Sequence, residues 1–258
     1  MLFTDQLQQR ITLTHYPKRI ISLVPSQTEL IWDLGIRDEL IGITKFCIHP
    51  TQMHQSVTHI GGTKTLNLEK IKALKPDIII GNKEENEQSQ IIELQKHFPV
   101  WMSDIFTLED SLNMIQGIGT LLDKEAKSIE MTNAIKQSFK KLPQLNKRVL
   151  YFIWNKPYMV AGRNTFIGDF LQRLGLINCI EEQGSRYPTL TMDEIKTLNP
   201  ELILLSSEPF PFTQKHIEEL QQHLPKTSIG IVDGEAYSWY GSRLRHSIDE
   251  FKKLEFIK

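Results

Sequence analysis

Two stretches of this chain carry the same pattern: Leu66-Asn67-Leu68-Glu69-Lys70-Ile71-Lys72-Ala73-Leu74-Lys75-Pro76-Asp77-Ile78-Ile79-Ile80 and, 124 residues further on, Leu190-Thr191-Met192-Asp193-Glu194-Ile195-Lys196-Thr197-Leu198-Asn199-Pro200-Glu201-Leu202-Ile203-Leu204. Each reads as a short helix, a proline that ends it, and an apolar run with the character of a buried strand. A helix-Pro-strand cassette repeated at that distance implies two similar lobes, and two lobes imply a cleft between them. The 258 residues suffice for two lobes that each bury a core.

The surrounding pattern supports the same organisation. Arg19-Ile20-Ile21-Ser22-Leu23-Val24 is a β-branched run stopped at Pro25, followed by helical spacing through Leu34 to Gly35. It restarts at Arg148-Val149-Leu150-Tyr151-Phe152-Ile153-Trp154, with a helix from Thr165 to Leu174 that ends at Gly175. Strands alternating with helices predict two Rossmann-like α/β lobes with parallel sheets, an N-terminal lobe over residues 1–104 and a C-terminal lobe over 146–258. Residues 1 to 18 read as a polar hairpin, and the His- and Gln-rich stretch from Cys47 to Thr63 as a loop. Between Pro99 and Pro143 there is no proline, and apolar residues from Leu108 to Leu142 keep helical spacing. One long helix or two abutting ones would account for it, with Gly117 and Gly119 as candidate bends.

Composition excludes several roles. With a formal net charge of -1, no global field draws the chain to nucleic acid or to an anionic membrane. Cys47 and Cys179 fall in different halves and allow one bridge or two free thiols, not a disulfide framework. The first ten residues lack the basic and apolar regions of a secretory signal. The chain as written therefore reads as soluble, either cytoplasmic or without its export segment. No glycine-rich phosphate loop, Gly-x-Ser-x-Gly elbow or His-Glu-x-x-His zinc helix is present. That favours binding over catalysis, with no intrinsic cofactor.

Ligands of α/β sheets sit outside the carboxyl ends of the strands, so the loops leaving those ends are the candidates. They carry Lys45-Phe46-Cys47-Ile48-His49-Pro50, Gly61-Gly62-Thr63-Lys64, Asn155-Lys156-Pro157-Tyr158, Arg186-Tyr187-Pro188 and Tyr237-Ser238-Trp239-Tyr240-Gly241-Ser242-Arg243. In the last of these, Trp239 and Tyr240 offer flat faces and Arg243 a partner for a carboxylate or phosphate, which suits a large planar or amphipathic ligand. The competing reading is an aromatic plug on the C-terminal helix. Cys47, His49, His54 and His59 have metal-ligand spacing, although solvated loop histidines and a small buried cysteine account for it better. Cys47 or His49 could also give one axial ligand to a bound metal complex. Shifting Glu84 by the repeat offset reaches Glu208, so each lobe carries an acid in the loop after its cassette strand, suited to a partner with two basic sockets.

The chain resembles the cobalamin-type periplasmic binding proteins, the solute receptors that feed ABC importers for vitamin B12, ferric siderophores and haem. The resemblance rests on Arg19 to Leu30, on Leu68 to Ile80, on Gly162-Arg163-Asn164-Thr165-Phe166 and on Trp239 to Arg243, and runs from about residue 10 to the end. It implies a class III fold, two lobes joined by a single long helix over 105–145, and an envelope location. It implies ligand contacts from Phe46, Pro50, Lys64, Trp154, Tyr187, Trp239 and Arg243. Cys47, His49 and Tyr240 join that set from the loop reading above. Docking to an importer permease falls to Glu208 and to Glu84 or Glu85. Lys64 stands where the cobalamin receptors place an aromatic residue, and the export signal is missing. The leading expectation is a monomeric, non-enzymatic receptor for a cobalt corrinoid or another metal chelate. The alternatives are a ferric siderophore or haem receptor, a cytosolic corrinoid carrier, and a chelatase-like enzyme.

Overall fold

The strand Ile20–Ser22 is buried throughout and Arg148–Trp154 is buried from Val149 to Phe152, and a sheet is built around each. The computed structural model describes residues 1–180 and 184–254, which divide into two compact units. Unit 1 comprises Met1–Ile105, Glu109–Ile135 and Tyr240–Arg243. Its elements are β1 (Leu2–Thr4), β2 (Arg10–Thr12), β3 (Ile20–Ser22), α1 (Pro25–Asp33), β4 (Leu40–Ile43), α2 (Thr51–Ser56), β5 (Thr58–His59), α3 (Leu68–Leu74), β6 (Ile78–Asn82), α4 (Gln88–Gln95), β7 (Val100–Ser103), α5 (Leu108–Leu121) and α6 (Glu125–Phe139), the last two extending slightly beyond it. The first two strands form an antiparallel hairpin. The other five make a wholly parallel sheet in the order β5-β4-β3-β6-β7. β3 and β6 are buried at every residue, which is why their isoleucines run without polar alternation.

Unit 2 comprises Phe106–Leu108, Lys136–Trp239 and the chain from Leu244 onward. It holds β8 (Arg148–Trp154), β9 (Tyr158–Val160), α7 (Phe166–Arg173), β10 (Ile177–Asn178), β11 (Thr189–Leu190), α8 (Met192–Leu198), β12 (Leu202–Ser206), α9 (Gln214–His223), β13 (Ser228–Val232), α10 (Gly234–Ser238) and α11 (Leu244–Lys253). The sheet runs β11-β9-β8-β12-β13, with β10 on the start of β8. β8, β12 and β13 are parallel, as the alternation of strands and helices predicts. β9 and β11 are antiparallel, so this sheet is mixed. The chain turns straight back at Asn155–Pro157, and such a tight connection can only join antiparallel strands.

The cassettes match down to their hydrogen bonds. α3 and α8 are each seven residues, capped by Asn67 and Thr191, whose side chains accept from the Lys70 and Glu194 N–H groups. Both end in a left-handed residue, Lys75 at φ 46° and Asn199 at φ 45°, just before the proline that forbids another turn. After each proline an acid reaches back to the strand that opens its unit. Asp77 accepts from the Arg19 N–H at 3.0 Å and Glu201 from the Arg148 N–H at 2.9 Å. The guanidinium of each arginine in turn donates to the last carbonyl of its cassette helix, Leu74 or Leu198. A cation at a helix C-terminus is favourable both to the orphan carbonyls and to the dipole.

The stretch 105–145 departs from the expected single helix. It is two helices, α5 and α6, and the break falls at Asp123, φ 57°, where Lys124 N–H returns to Gly119 O at 2.7 Å. Neither glycine is a bend. A Cβ on Gly119 would collide with Ser128 of α6, and one on Gly117 would lie 3.2 Å from the Trp101 ring, so both admit close packing. The Cys47–Thr63 stretch is not all loop either. Pro50 leads into α2, whose Met53 is fully buried, and β5 adds to the sheet edge.

Candidate functional site

Phe46 follows the end of β4 and is 50% exposed. The Lys45 ammonium lies 5.0 Å from its ring centroid, and Gly62 leaves the room the ring occupies. Lys64 is exposed and donates to the carbonyls of Glu84 at 2.6 Å and Asn86 at 3.3 Å. His49 and Pro50 are half-buried.

Cys47 corrects one expectation. It is fully buried, with Sγ 3.2 Å from the Thr28 hydroxyl and 3.1 Å from that of Thr44, and burial pushes its thiol above the ordinary value. A thiol held neutral and out of solvent is not offered to a ligand metal. Cys179 is likewise buried and free, so no bridge joins the two. His54 Nδ1 and His59 Nε2 bond to the carbonyls of Cys47 and His54, and the two rings lie 4.4 Å apart. Among the described residues no group of three or more His, Cys, Asp or Glu could hold a metal ion.

The 237–243 loop corrects a second. Arg243 forks onto Glu29, with Nε to Oε2 at 3.0 Å and the NH2 group to Oε1 at 2.8 Å, and both side chains are largely covered. Burial raises the Glu29 carboxyl and the Arg243 charge pulls it back, with His49 near enough to help. The guanidinium thus answers an internal carboxylate instead of a ligand's, because a half-buried Glu29 needs a cation more than an exposed anion does. The Tyr240 hydroxyl donates to Glu85, and Gly241 lies so close to the Ser26 carbonyl that a Cβ would stand 2.8 Å from it. Tyr240 is only 6% exposed and Trp239 8%. Tyr237 packs against Tyr151 and Phe251 of unit 2. The plug reading accounts for these aromatics better than an open ligand face.

Glu84 and Glu208 begin alike. The Glu84 N–H donates to Asn82 Oδ1 at 2.8 Å and the Glu208 N–H to Ser206 Oγ at 3.4 Å, the acceptor in each case being the last residue of the cassette strand. Their side chains differ. Glu84 is exposed, whereas Glu208 is half-buried and its Oε1 accepts from Trp239 Nε1 at 2.9 Å and Ser238 Oγ at 3.0 Å. Burial pushes the Glu208 carboxyl above its ordinary 4.5, opposed by the Ser238 and Trp239 bonds and aided by Glu235 and Asp233. A raised folded-state value means that its contribution to stability is complete below the unfolded value and is lost as pH rises through the folded one. Glu208→Gln, neutral and still an acceptor, is therefore expected to be more stable than wild type at pH 7 and level with it near pH 4. Urea unfolding at both pH values checks this, and a less stable variant at pH 7 would contradict it.

In unit 2 the last residue of β8, Trp154, is 42% exposed, with its ring 5.6 Å from that of Phe210 at an interplanar angle of 66°. Tyr187 is half-buried beside the Arg186 guanidinium, which also lies 4.5 Å from the Phe106 ring centroid. Phe210 escapes the reading of the sequence. Its signal is the alternation Pro209-Phe210-Pro211-Phe212 just past a strand's carboxyl end, a stretch that can only be irregular and that carries two large apolar groups. A hollow of about 620 Å³ beside α8, bordered by Cys179, Leu190 and Leu198, holds none of the expected ligand residues. None of its lining residues belongs to β8 or β12.

The profile of the periplasmic binding protein family matches residues 20–227, and the chain belongs to that family. It is 26% identical over 215 residues to an uncharacterised ABC transporter substrate-binding lipoprotein of Bacillus subtilis, covering 78% of this chain and 67% of that protein. It is 26% identical over 204 residues to the vitamin B12-binding protein of Vibrio parahaemolyticus, covering 76% and 74%. The fold is that of the periplasmic haem-binding protein of Vibrio cholerae, with a TM-score of 0.78 at 21% identity over 92% of this chain and 98% of that one.

Proposed function

We propose that the protein is a non-enzymatic receptor that captures a corrinoid or related metal chelate and delivers it to an ABC importer from the cell envelope. Membership of the binding-protein family and likeness to a vitamin B12-binding protein support this reading. The observation that carries it is the exposure of one large aromatic side chain at or just past a strand's carboxyl end in each unit, Trp154 and Phe46. Each is a flat apolar face placed where the ligand-facing loop of an α/β sheet begins, which suits stacking by a planar chelate. A haem or ferric siderophore is the second reading, favoured by the Lys45 ammonium over Phe46, which suits an anionic chelate.

His49, Pro50 and Lys64 of unit 1 and Tyr187 of unit 2 are the other proposed ligand residues, each taken within its own unit. Trp154→Ala is expected to weaken binding about 30-fold, the scale of an aromatic anchor at about 2 kcal/mol. Titration of haemin or cyanocobalamin followed in the visible spectrum measures it, and unchanged affinity would remove Trp154 from the site.

Permease docking is proposed for Glu84 or Glu85 on unit 1 and for Glu208 on unit 2. Because Glu208 also holds Trp239, reversing its charge disturbs more than docking. Glu84→Lys is the cleaner test: uptake in cells should fall while ligand affinity is kept. Intact uptake would reject the assignment.

A further inference from the structure

Trp154 is not a lone exposed ring. Its neighbour Phe210 lies 4.8 Å from Phe212 and 5.3 Å from His216, ring to ring, and Phe212 lies 6.4 Å from Phe152, each pair packed edge to face. Phe152 and Phe212 are buried members of the unit 2 core, and Phe210 packs against that core from outside. His216 is itself fixed, its Nδ1 accepting from the Thr213 N–H at 3.0 Å at the start of α9. The rings therefore form an unbroken rack from the core to the surface, with Trp154 at its outer end. A tryptophan at a strand's last residue has two free torsions, and Phe210 is the ring that restricts them.

We propose that Phe210 is a positioning residue: it holds the Trp154 indole in one orientation, so that unit 2 presents a fixed flat face suited to a planar macrocyclic chelate. The ligand part of this proposal rests on the receptor reading above. The positioning part stands on the ring geometry alone. Holding the ring in advance spares the ligand the cost of ordering it on binding.

The test uses the full chain with Phe210→Ala, Phe210→Tyr and Phe210→Leu, the last keeping apolar volume should the alanine variant fold poorly. Affinity for haemin and for cyanocobalamin is measured by titration, and the near-ultraviolet circular dichroism of Trp154 is isolated by subtracting spectra of matched Trp154→Ala proteins. Phe210→Ala is expected to weaken whichever macrocycle the wild type binds by about three- to tenfold, the scale of an aromatic pair. The Trp154 dichroism should be largely lost with it. Phe210→Tyr should retain both. Wild-type affinity together with intact Trp154 dichroism in the alanine and leucine variants would overturn the proposal. If the wild type binds neither macrocycle, the macrocycle reading fails by itself and the dichroism decides the positioning role: loss in Phe210→Ala upholds it, retention rejects it.

Discussion

Replacing Arg243 by alanine should destabilise the protein by about 3 kcal/mol at pH 7. Deleting one member of a buried pair costs about 3–5 kcal/mol because the other charge is stranded, and partial exposure of this pair places the effect at the lower end. The sign of the pH dependence follows from Glu29. Burial already holds its carboxyl above the ordinary value against the pull of Arg243, and without the arginine it must rise further. A neutral carboxyl is cheaper to bury, so the deficit of Arg243→Ala should shrink as pH falls through the raised value. Arg243→Lys keeps the charge but loses the two-pronged fork, and should fall between. Urea unfolding at pH 7 and pH 4 reads all of this. A deficit that is small at pH 7, or that grows on acidification, would mean that the pair does not hold the 240–243 segment in unit 1.

Gly168→Ala should cost about 2 kcal/mol, although helix propensity alone points the other way. Gly168 lies in the first turn of α7, where alanine gains about 1 kcal/mol over glycine. Its Cβ, however, would press into the backbone carbonyls of Gly162 and Arg163. That loop cannot yield easily: the Thr165 hydroxyl is bonded to Gly162 O at 2.7 Å, and the Arg163 guanidinium to Asn178 O at 2.9 Å. Overpacking against fixed backbone costs about 1–3 kcal/mol and outweighs the propensity gain. Thermal or urea unfolding measures it, and a stabilised alanine variant would show that the 162–165 loop is free to move.

The two-lobe architecture was legible because it depends on local signals that tertiary packing did not override. The cassettes carry their own caps, left-handed C-terminal residues and prolines, and these act alike in both units. The break at Asp123 was hidden because apolar spacing continues through it with no proline or glycine to mark it, while Gly117 and Gly119 pointed to a bend that is really packing. The antiparallel β9 was hidden because Tyr158–Val160 is too short for alternation to register. At the site, sequence alone distinguished residue types but not their partners. Arg243 suggests ligand binding until Glu29, more than 200 residues away, is seen beneath it, and Cys47 suggests a metal ligand until two threonine hydroxyls close over it. The exposure of Phe46 and Trp154 was easier to foresee, since the last residues of a strand and those just past it lie where its outward-facing loop begins.

The most direct test of the receptor account is a titration of the wild-type protein with cyanocobalamin, haemin and ferric siderophores, followed by tryptophan fluorescence and visible absorption. The account predicts saturable, one-site binding of at least one of them, with quenching that is diminished in Trp154→Ala. Absence of a saturable change with every ligand would contradict it.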